Sequence, residues 1–428
     1  MTSPVSPKKM QGAWVRRANI IGAPLKGVIS FQPEFLMDRA RKLCHLDDFG
    51  GDDFQEPFRI LARSYDRHAQ LHFTGRVLVR RHLVRCLMNR LKITEYWRRN
   101  PGTENVAVPD PVVITGFPRT GSTFLHKTLA QDRRIRTLRL WEMLSPVPPG
   151  WGDASVPDTR LARLRRGIES HRKVILSPAG RDALKSMHWM EADHPAECWQ
   201  LLQYSFRCGS FGWNAAGDDY NLWLCQQDLT DSYRYYRKLL QILTASAPAE
   251  RLVVKYPGHL GCLDELIRVF PNARILWLHR DPVDVIPSIC SLSKVIRLQR
   301  TNDFNPVKLG QRSLEWLTWT FGKGMAARLR HRPEQFLDVY YRDLTRNPVG
   351  AVRRIYDFLG WQANPDWEDT LRSYLARDRE SRQGLRHRYS PEDFGLNADI
   401  IQAAFREYTE RFPGLIDDRE RASQASGR

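Results

Sequence analysis

Residues 111–132 read PVVITGFPRTGSTFLHKTLAQD, and this stretch decides the fold. The β-branched run at 112–114 predicts a short buried strand, and the apolar residues after the loop recur at helical spacing. Gly116, Pro118 and Gly121 break the pattern between the two elements. The stretch therefore predicts strand, glycine loop and helix, in which the N–H groups and dipole of the helix start favour a bound phosphate.

The loop differs from that of nucleoside-triphosphate enzymes in the place of its cation. Gly116 and Gly121 have the G-x4-G spacing, but Ser122 and Thr123 follow where a kinase or ATPase has lysine and then serine or threonine. The cation is Arg119, inside the loop. We infer a loop that binds a phosphate that leaves rather than one that is transferred, and an ordinary strand-to-helix turn is the alternative.

The composition is that of a folded and strongly basic protein. The chain has 428 residues with 42% hydrophobic side chains, enough for one large domain or two. Its net charge of +18 predicts an acidic partner (nucleic acid, an anionic membrane or a multiply phosphorylated small molecule) or a solvated basic surface. The seven cysteines show no C-x-x-C or zinc pattern and are expected to be reduced thiols.

The sequence before the loop predicts no membrane-spanning or signal segment, so we expect a cytoplasmic protein, with the inner membrane surface as an alternative location. Residues 1–60 contain prolines and no acidic residue before Glu34, which predicts a basic, mobile tail. Residues 76–99 have leucines four apart with basic residues between them. This pattern predicts an amphipathic helix that packs on the core or lies on an anionic membrane.

Strands and helices alternate again in the second half of the chain. Residues 252–254, 274–279 and 336–340 read as strands separated by helices. The alternation predicts an α/β fold, a P-loop-like three-layer sandwich with a central parallel sheet flanked by helices. Ligands of such sheets bind at the carboxyl ends of the strands, where the glycine loop, Lys255 and His279–Arg280 fall.

A second phosphate site is predicted after the strand at 274–279. Arg280 follows this strand directly, and Ser288 lies two turns into the next predicted helix. A guanidinium and a hydroxyl can hold one phosphate together, and an ion pair of Arg280 with Asp281 or Asp284 is the alternative. Two phosphate elements on one sheet, without the lysine of a kinase, suggest a nucleotide with phosphates at both ends of its ribose.

With both elements in view, the sequence resembles the sulfotransferases that use 3′-phosphoadenosine 5′-phosphosulfate (PAPS), in the bacterial branch with an arginine-type loop. GFPRTGST at 116–123 resembles the 5′-phosphosulfate loop of that family, and HRDPVDVIPSICSL at 279–292 resembles its 3′-phosphate element. Shorter matches extend the resemblance over roughly residues 85–413; they are RLWEM at 139–143, KYPGHL at 255–260, VYYRDLTRNP at 339–348, YDFLG at 356–360 and HRYSPEDFGL at 387–396.

The resemblance implies a role for each matching residue. Arg119 would touch the oxygen that bridges phosphate and sulfuryl group, and Arg280 and Ser288 would bind the 3′-phosphate. Arginine keeps its proton, so Arg119 can stabilise leaving-group charge but is a poor proton donor. The other implied nucleotide contacts are Pro118, Thr120, Gly121, Ser122 and Thr123 in the loop, Tyr341 near adenine, and Arg386, His387 and Arg388 in a C-terminal segment that closes over the nucleotide.

Sulfuryl transfer resembles loose phosphoryl transfer, which needs cations at the leaving phosphate and a base for the acceptor hydroxyl. Lys255 is predicted to be a second cation, with a structural ion pair as the alternative. Glu142 is the favoured base, because the arginine-loop branch often places a carboxylate near the acceptor at this position. A surface or capping role for Glu142 is left open. His259 is the main alternative base, Glu197 and His188 are weaker ones, and no metal is predicted.

The sequence thus predicts a sulfotransferase that moves the sulfuryl group from PAPS to a hydroxyl of a lipophilic or glycolipid-like acceptor and releases adenosine 3′,5′-bisphosphate. A small-molecule or nucleoside kinase that uses ATP-Mg is the alternative. No nucleic-acid partner is expected, because no nucleic-acid-binding motif accompanies the charge. The predicted domains are the tail at 1–60, the amphipathic segment at 61–105, the α/β domain at 106–413 with a helical acceptor-side insertion at 145–250, and a C-terminal tail at 414–428.

Overall fold

The computed structural model describes residues 6–187, 189–215, 217–248, 250–363, 366–381 and 389–415. The chain groups into two compact units. The first unit consists of Met1–Val108, Leu138–Pro248 and Leu292–Phe304, and the second of Pro109–Thr137, Ala249–Ser291 and Asn305–Arg428. The domain boundaries predicted from the sequence stay a prediction.

The helices and strands of the described residues follow in chain order. The strands are β1 (Val112–Gly116), β2 (Ile135–Thr137), β3 (Arg251–Lys255), β4 (Arg274–His279) and β5 (Phe336–Tyr340). The α-helices are α1 (Pro7–Met10), α2 (Ala13–Gly22), α3 (Pro33–Cys44), α4 (Gln55–Arg67), α5 (Phe73–Arg99), α6 (Ser122–Leu129), α7 (Leu140–Leu144), α8 (Arg160–Ile175), α9 (Pro178–Met187), α10 (Trp199–Leu202), α11 (Ser210–Ala215), α12 (Asp218–Leu224), α13 (Thr230–Ser246), α14 (Leu263–Val269), α15 (Pro282–Arg297), α16 (Pro306–Arg330), α17 (Tyr341–Arg346), α18 (Pro348–Leu359), α19 (Trp367–Ser381), α20 (Ala398–Ala404) and α21 (Arg406–Arg411).

The second unit is built on a sheet that, within the described residues, has five strands in the order β2-β3-β1-β4-β5. Every neighbouring pair is parallel, and the register places Ile114 of β1 beside Lys255 and Leu276. Strand β1 is central and fully buried, which explains its unbroken β-branched run. The carboxyl ends of β1, β3 and β4 therefore meet at one edge, where parallel sheets bind ligands.

Helices cover both faces of this sheet. On one face, Ile114 and Val339 pack in a buried core with Leu125 of α6 and Ile355 of α18. On the other face, the Trp277 ring lies 5.9 Å from the ring of Phe412, which follows α21. The predicted three-layer α/β arrangement with a central parallel sheet is confirmed. The sequence missed β2, because its three residues are flanked by arginines and are too short for a periodic signal.

The first unit is helical, and its longest helix is buried on its apolar side. Leu83, Leu87 and Leu91 of α5 have no exposed surface. Arg90, on the same helix, is also buried and is held by Asp53 Oδ1 at 2.7 Å and by the carbonyl oxygen of Phe49 at 2.8 Å. Of the two interpretations of this basic helix, packing within a core holds, and membrane binding through its leucines does not.

The N-terminal residues form helices rather than a mobile tail. Met10, Val15 and Leu36 are fully buried, the latter two on α2 and α3. The prediction of a mobile tail is wrong for the described residues after 5, because scattered apolar residues among basic ones mark the buried side of short helices. No α-helix in the described part of the chain combines the length and the apolar character that crossing a membrane requires.

The aromatic residues of the region at 145–250 pack largely against one another. The Phe206 ring lies 4.8 Å from Phe58 and 6.2 Å from Phe211, and Phe211 lies 6.2 Å from Tyr220. All four side chains are buried. These rings form a core of the first unit.

Gly116, at the end of β1, provides a test of how closely β1 and β4 approach each other. Gly116 has a φ of +124°, and a Cβ added to it would overlap the carbonyl oxygen of Leu278 in β4. We expect Gly116→Ala to lower the free energy of unfolding by about 3 kcal/mol or more, from backbone strain and displacement of β4. Urea denaturation measures this loss.

Gly360 is the matched control, because its φ is +65° but nothing lies within 4 Å of an added Cβ. Gly360→Ala is expected to cost only about 1 kcal/mol, from the left-handed backbone alone. Equal losses of unfolding free energy in the two variants would show that the close approach of β4 does not restrict the residue at position 116.

Candidate functional site

The loop after β1 has a strained backbone at its cation. Arg119 has a φ of +68°, a left-handed conformation that is uncommon for a residue with a side chain and concentrates at ligand sites. The Thr120 hydroxyl donates a hydrogen bond of 2.7 Å to the carbonyl oxygen of Phe117, which closes the turn. The loop is thus held in a shape that an ordinary strand-to-helix connection does not need.

Helix α6 begins at this loop without a side-chain cap. Its N-cap residue is Gly121, with a φ of +85° and no side chain to accept from the first N–H groups. A Cβ on Gly121 would lie 3.1 Å from the ring of Tyr341, so the ring of Tyr341 borders the loop closely. Uncapped N–H groups and the positive end of the helix dipole make this start suitable for an anion.

The two predicted phosphate elements meet within the second unit. The Arg280 Nη1 atom donates to the carbonyl oxygen of Arg119 at 3.0 Å, and the Arg119 Nε atom donates to the hydroxyl of Ser288 at 3.1 Å. The Arg280 guanidinium also lies over the Tyr341 ring, 4.4 Å from its centre. The structure therefore brings together Arg119, Arg280, Ser288 and Tyr341, which come from three separate segments of the sequence.

Arg280 has one ion pair and one unsatisfied donor. Its Nη2 atom lies 3.2 Å from the carboxylate of Asp284, the surface pair considered as an alternative from the sequence. Its Nε atom is buried and has no hydrogen-bond partner among the described residues. An unpaired buried donor costs about 1–3 kcal/mol, and more when it is charged, so an anionic oxygen at this position would relieve a real penalty.

Lys255 brings another cation to the start of α6. Its Nζ atom donates to the hydroxyl of Thr123 at 3.2 Å, and the side chain is almost entirely buried at the end of β3. Burial, and after it the positive charge of Lys255, lowers the pKa of the nearby His126 imidazole to about 3. His126 is therefore neutral at physiological pH, and the cations of this region are lysine and arginine.

A model of the sulfotransferase family matches residues 111–397, which is more than half of the chain and includes both phosphate elements. The chain belongs to the sulfotransferase family. The family predicted from the two motifs is thereby confirmed, and the protein is an enzyme that transfers a sulfuryl group from a donor to an acceptor.

Mycobacterial sulfotransferases are among the proteins that this chain resembles. Omega-hydroxy-beta-dihydromenaquinone-9 sulfotransferase Stf3 of Mycobacterium tuberculosis is 26% identical over 331 residues, which span 76% of this chain and 82% of that protein. The crystal structure of sulfotransferase STF1 from Mycobacterium tuberculosis has a TM-score of 0.74 at 29% identity, covering 87% of this chain and 97% of that one. The crystal structure of sulfotransferase STF9 from Mycobacterium avium has a TM-score of 0.78 at 26% identity, covering 89% and 96%.

The two predicted base candidates of this sulfotransferase lie in different units. His259, in the second unit, follows β3 in a short 3-10 turn and is fully buried, with its ring against Tyr256 at 5.3 Å. Glu142, in the first unit, is buried at the start of α7, and its Oε2 atom accepts from the backbone N–H of Arg139 at 2.9 Å. The capping role left open for Glu142 is thus present, and the catalytic role of either residue stays a prediction.

The structure describes some of the remaining predicted site residues but not others. Pro118 is half-buried in the loop, and Ser122 is buried at the start of α6. His188, Arg386, His387 and Arg388 lie outside the described residues. Within the described ranges, no group of three or more histidine, cysteine, aspartate or glutamate side chains is placed to hold a metal ion.

A partly buried polar network around His279, the residue before Arg280, could not be recognised in the sequence. His279 accepts from the Tyr408 hydroxyl at Nδ1 over 3.0 Å and donates from Nε2 to Asp338 over 2.9 Å, with the tautomer that this pattern requires. Arg328 binds both oxygens of Asp338, at 2.6 and 3.0 Å. A carboxylate inside the apolar strand FLDVY was the one signal, since buried charges need partners.

The pKa values of this network follow from its contacts. Burial alone would raise the pKa of the Asp338 carboxyl, but hydrogen bonds from His279 and Arg328 outweigh it and hold the pKa at about 2. Burial lowers the pKa of His279, and its bond to Asp338 offsets that effect only in part. The residue before Arg280 is therefore a neutral, doubly hydrogen-bonded side chain that holds the end of β4.

His126 provides a pH test of the site. Its Nε2 atom faces the carbonyl oxygen of Val253 at 3.4 Å, and its Nδ1 atom is buried with no partner among the described residues. Folding lowers the pKa of His126 from 6.5 to about 3. Between these two pH values the imidazole binds a proton in the unfolded chain but not in the folded one. The contribution of His126 to the free energy of unfolding is therefore fully present above pH 6.5. It falls by about 2 kcal/mol between pH 7 and pH 5.

The variant His126→Gln, which retains a donor but does not titrate, removes this contribution. Urea denaturation at pH 7 and pH 5 should show a smaller pH-dependent loss in the variant than in the unsubstituted protein. An identical loss in both would mean that His126 takes up its proton in the folded state.

Proposed function

We propose that this sulfotransferase uses PAPS as its donor and transfers the sulfuryl group to a hydroxyl of a lipophilic acceptor, releasing adenosine 3′,5′-bisphosphate. The observation that carries the proposal is the hydrogen bond of 3.0 Å from the Arg280 guanidinium to the backbone of Arg119. It joins the two predicted phosphate elements within one unit, so that a single doubly phosphorylated nucleotide can engage both.

The residues present fit such a donor. The uncapped start of α6, with Gly121, Ser122 and Thr123, is assigned to the 5′-phosphosulfate, because helix N–H groups there point outward. Arg280 and Ser288 are assigned to the 3′-phosphate, which would satisfy the buried Nε atom of Arg280. Tyr341, whose ring packs against the Arg280 guanidinium and borders Gly121, is assigned to the adenine end of the nucleotide.

The transfer breaks the bond between sulfur and the bridging phosphate oxygen and forms a bond between sulfur and the acceptor oxygen. Negative charge moves onto the leaving phosphate, where Arg119 and Lys255 supply positive charge, and the arginine does so without giving up a proton. The acceptor hydroxyl loses its proton to a base, for which we propose Glu142, with His259 as the alternative. The hydrogen bond from Arg119 Nε to the Ser288 hydroxyl, at 3.1 Å, orients the guanidinium before the reaction.

A lipophilic acceptor is supported by the name of one relative. The mycobacterial protein Stf3 is called an omega-hydroxy-beta-dihydromenaquinone-9 sulfotransferase, and the similarity spans 76% of this chain. We propose an acceptor of the same chemical class, a hydroxyl carried by a lipid. A cytoplasmic location is proposed with it, because all seven cysteines are free thiols.

The donor assignment is tested by thermal denaturation with nucleotides. Adenosine 3′,5′-bisphosphate at about 100 times its dissociation constant should stabilise the protein by about 2.7 kcal/mol, seen as a higher midpoint temperature. Arg280→Ala should abolish this shift, because it removes the guanidinium proposed to bind the 3′-phosphate. Arg312→Ala, which removes an exposed arginine of α16 paired with Glu315, should leave the shift unchanged.

Stabilisation by ATP-Mg but not by the bisphosphate would reject the donor and favour the kinase alternative. An undiminished bisphosphate shift in Arg280→Ala would reject the assignment of the 3′-phosphate to that residue while leaving the donor in place.

The base is tested by paired substitutions. Glu142→Gln keeps an oxygen that can cap α7 but cannot take up a proton, and His259→Gln is the matching change at the alternative residue. We expect Glu142→Gln to lower kcat by about 100-fold or more, with the bisphosphate shift intact. Steady-state kinetics with a labelled donor and a lipid-extract acceptor measure the effect.

His259→Gln should then retain most of the activity. The reverse result, with a large loss in kcat for His259→Gln alone, would assign the proton transfer to His259 and leave Glu142 as a cap.

A further inference from the structure

The N-terminal residues expose an unusual amount of apolar surface. Helix α2 and the 3-10 turn that follows it, Ala23–Val28, carry large apolar side chains that are mostly accessible to solvent. Contiguous exposed apolar surface on a folded protein marks an interaction site. We call this set the N-terminal apolar ridge; its members are Trp14 (62% exposed), Ile20 (76%), Ile21 (76%), Leu25 (54%) and Val28 (76%).

The ridge lies on a firmly anchored segment of the first unit. On the opposite side of α2, Asn19 accepts from the backbone and hydroxyl of Thr74, at 2.9 and 2.8 Å. Gln11 donates to the carbonyl oxygen of Leu298 at 2.9 Å, and the carbonyl oxygen of Ile29 accepts from Arg76 at 2.9 Å. Both ends of the segment are thus fixed, and the apolar side chains point away from a satisfied, buried face.

The charges within the segment that carries the ridge are all of one sign. Residues 6–33 contain five lysines and arginines and no aspartate or glutamate. Arg17 lies on the exposed side of α2, between Trp14 and Ile21 at helical spacing, and Lys26 is exposed within the turn. Aliphatic side chains, a tryptophan and basic residues on one surface are the composition of segments that lie in the interface of an anionic membrane.

The same charges disfavour a second copy of this chain as the occupant. Two ridges in contact would bring like charges together in a protein that already carries +18. An anionic lipid surface instead offers phosphates to the basic residues and an acyl boundary to the apolar ones.

We propose that the N-terminal apolar ridge docks this enzyme on the surface of an anionic lipid bilayer. Trp14, Ile20, Ile21, Leu25 and Val28 enter the boundary between headgroups and acyl chains, while Arg17 and Lys26 contact lipid phosphates. The leucines of α5 take no part, because they are buried. The inference stands apart from the identity of the donor and of the acceptor, since it concerns only how the enzyme reaches a membrane.

The test is binding of the full chain to vesicles by flotation. Vesicles of phosphatidylglycerol and phosphatidylcholine should bind the protein at least about tenfold more tightly than vesicles of phosphatidylcholine alone, and high salt should weaken the binding. The double change Ile20→Ser and Ile21→Ser should weaken it by about tenfold or more, because it removes apolar side chains from the interface. Leu329→Ser is the matched control: Leu329 is 75% exposed, on α16 of the second unit, and its loss should change nothing.

Two further variants make the outcome decisive. Arg17→Gln with Lys26→Gln should reduce the preference for anionic vesicles without changing the weak binding to neutral ones. Brominated lipids should quench tryptophan fluorescence in the unsubstituted protein and distinctly less in Trp14→Phe.

Unchanged vesicle binding in the isoleucine and charge variants, or no binding by the unsubstituted protein, would overturn the proposal. A dimer in sedimentation velocity that the isoleucine changes convert to a monomer would assign the ridge to a second copy and overturn it as well.

Discussion

The hydrogen bond between the Arg280 guanidinium and the backbone carbonyl of Arg119 joins two residues that are 161 positions apart in the chain. It holds Arg119 in a left-handed conformation that its side chain disfavours, and it ties the end of β4 to the loop after β1. Ser288 and Tyr341 then complete the arrangement by contacting the same two arginines. This bond, together with the one from Arg119 to Ser288, connects the loop to the second phosphate element.

Positive charge at this edge of the sheet is maintained by the surroundings of each group. Burial keeps His126 neutral, so the positive charge comes from Lys255 and the arginines and not from this histidine. The carboxylate of β5, Asp338, is paired with His279 and Arg328, which hold its pKa at about 2, so it stays charged at physiological pH. The proposed donor, with an anionic group at each end of its ribose, is the kind of ligand that such an arrangement favours.

Much of the site could be predicted because its signals are local. The glycines around Arg119 and the arginine that follows a strand are recognisable from neighbouring residues alone, and their order along the chain identified the family. The network of His279, Asp338 and Tyr408 could not be predicted, because its members are far apart and each is unremarkable by itself. The N-terminal segment was misjudged for a related reason: its basic residues obscured the few apolar positions that are buried in short helices.

The sequence by itself determined the strand, loop and helix at 111–132, the parallel sheet and the sulfotransferase family, since each depends on the spacing of residues within short segments. Only the tertiary structure decided which apolar faces are covered. The leucines of α5 and the isoleucines of α2 look alike as patterns among basic residues, yet the first are buried and the second exposed. Burial depends on what packs against a face, and that is set by distant parts of the chain that no local periodicity specifies.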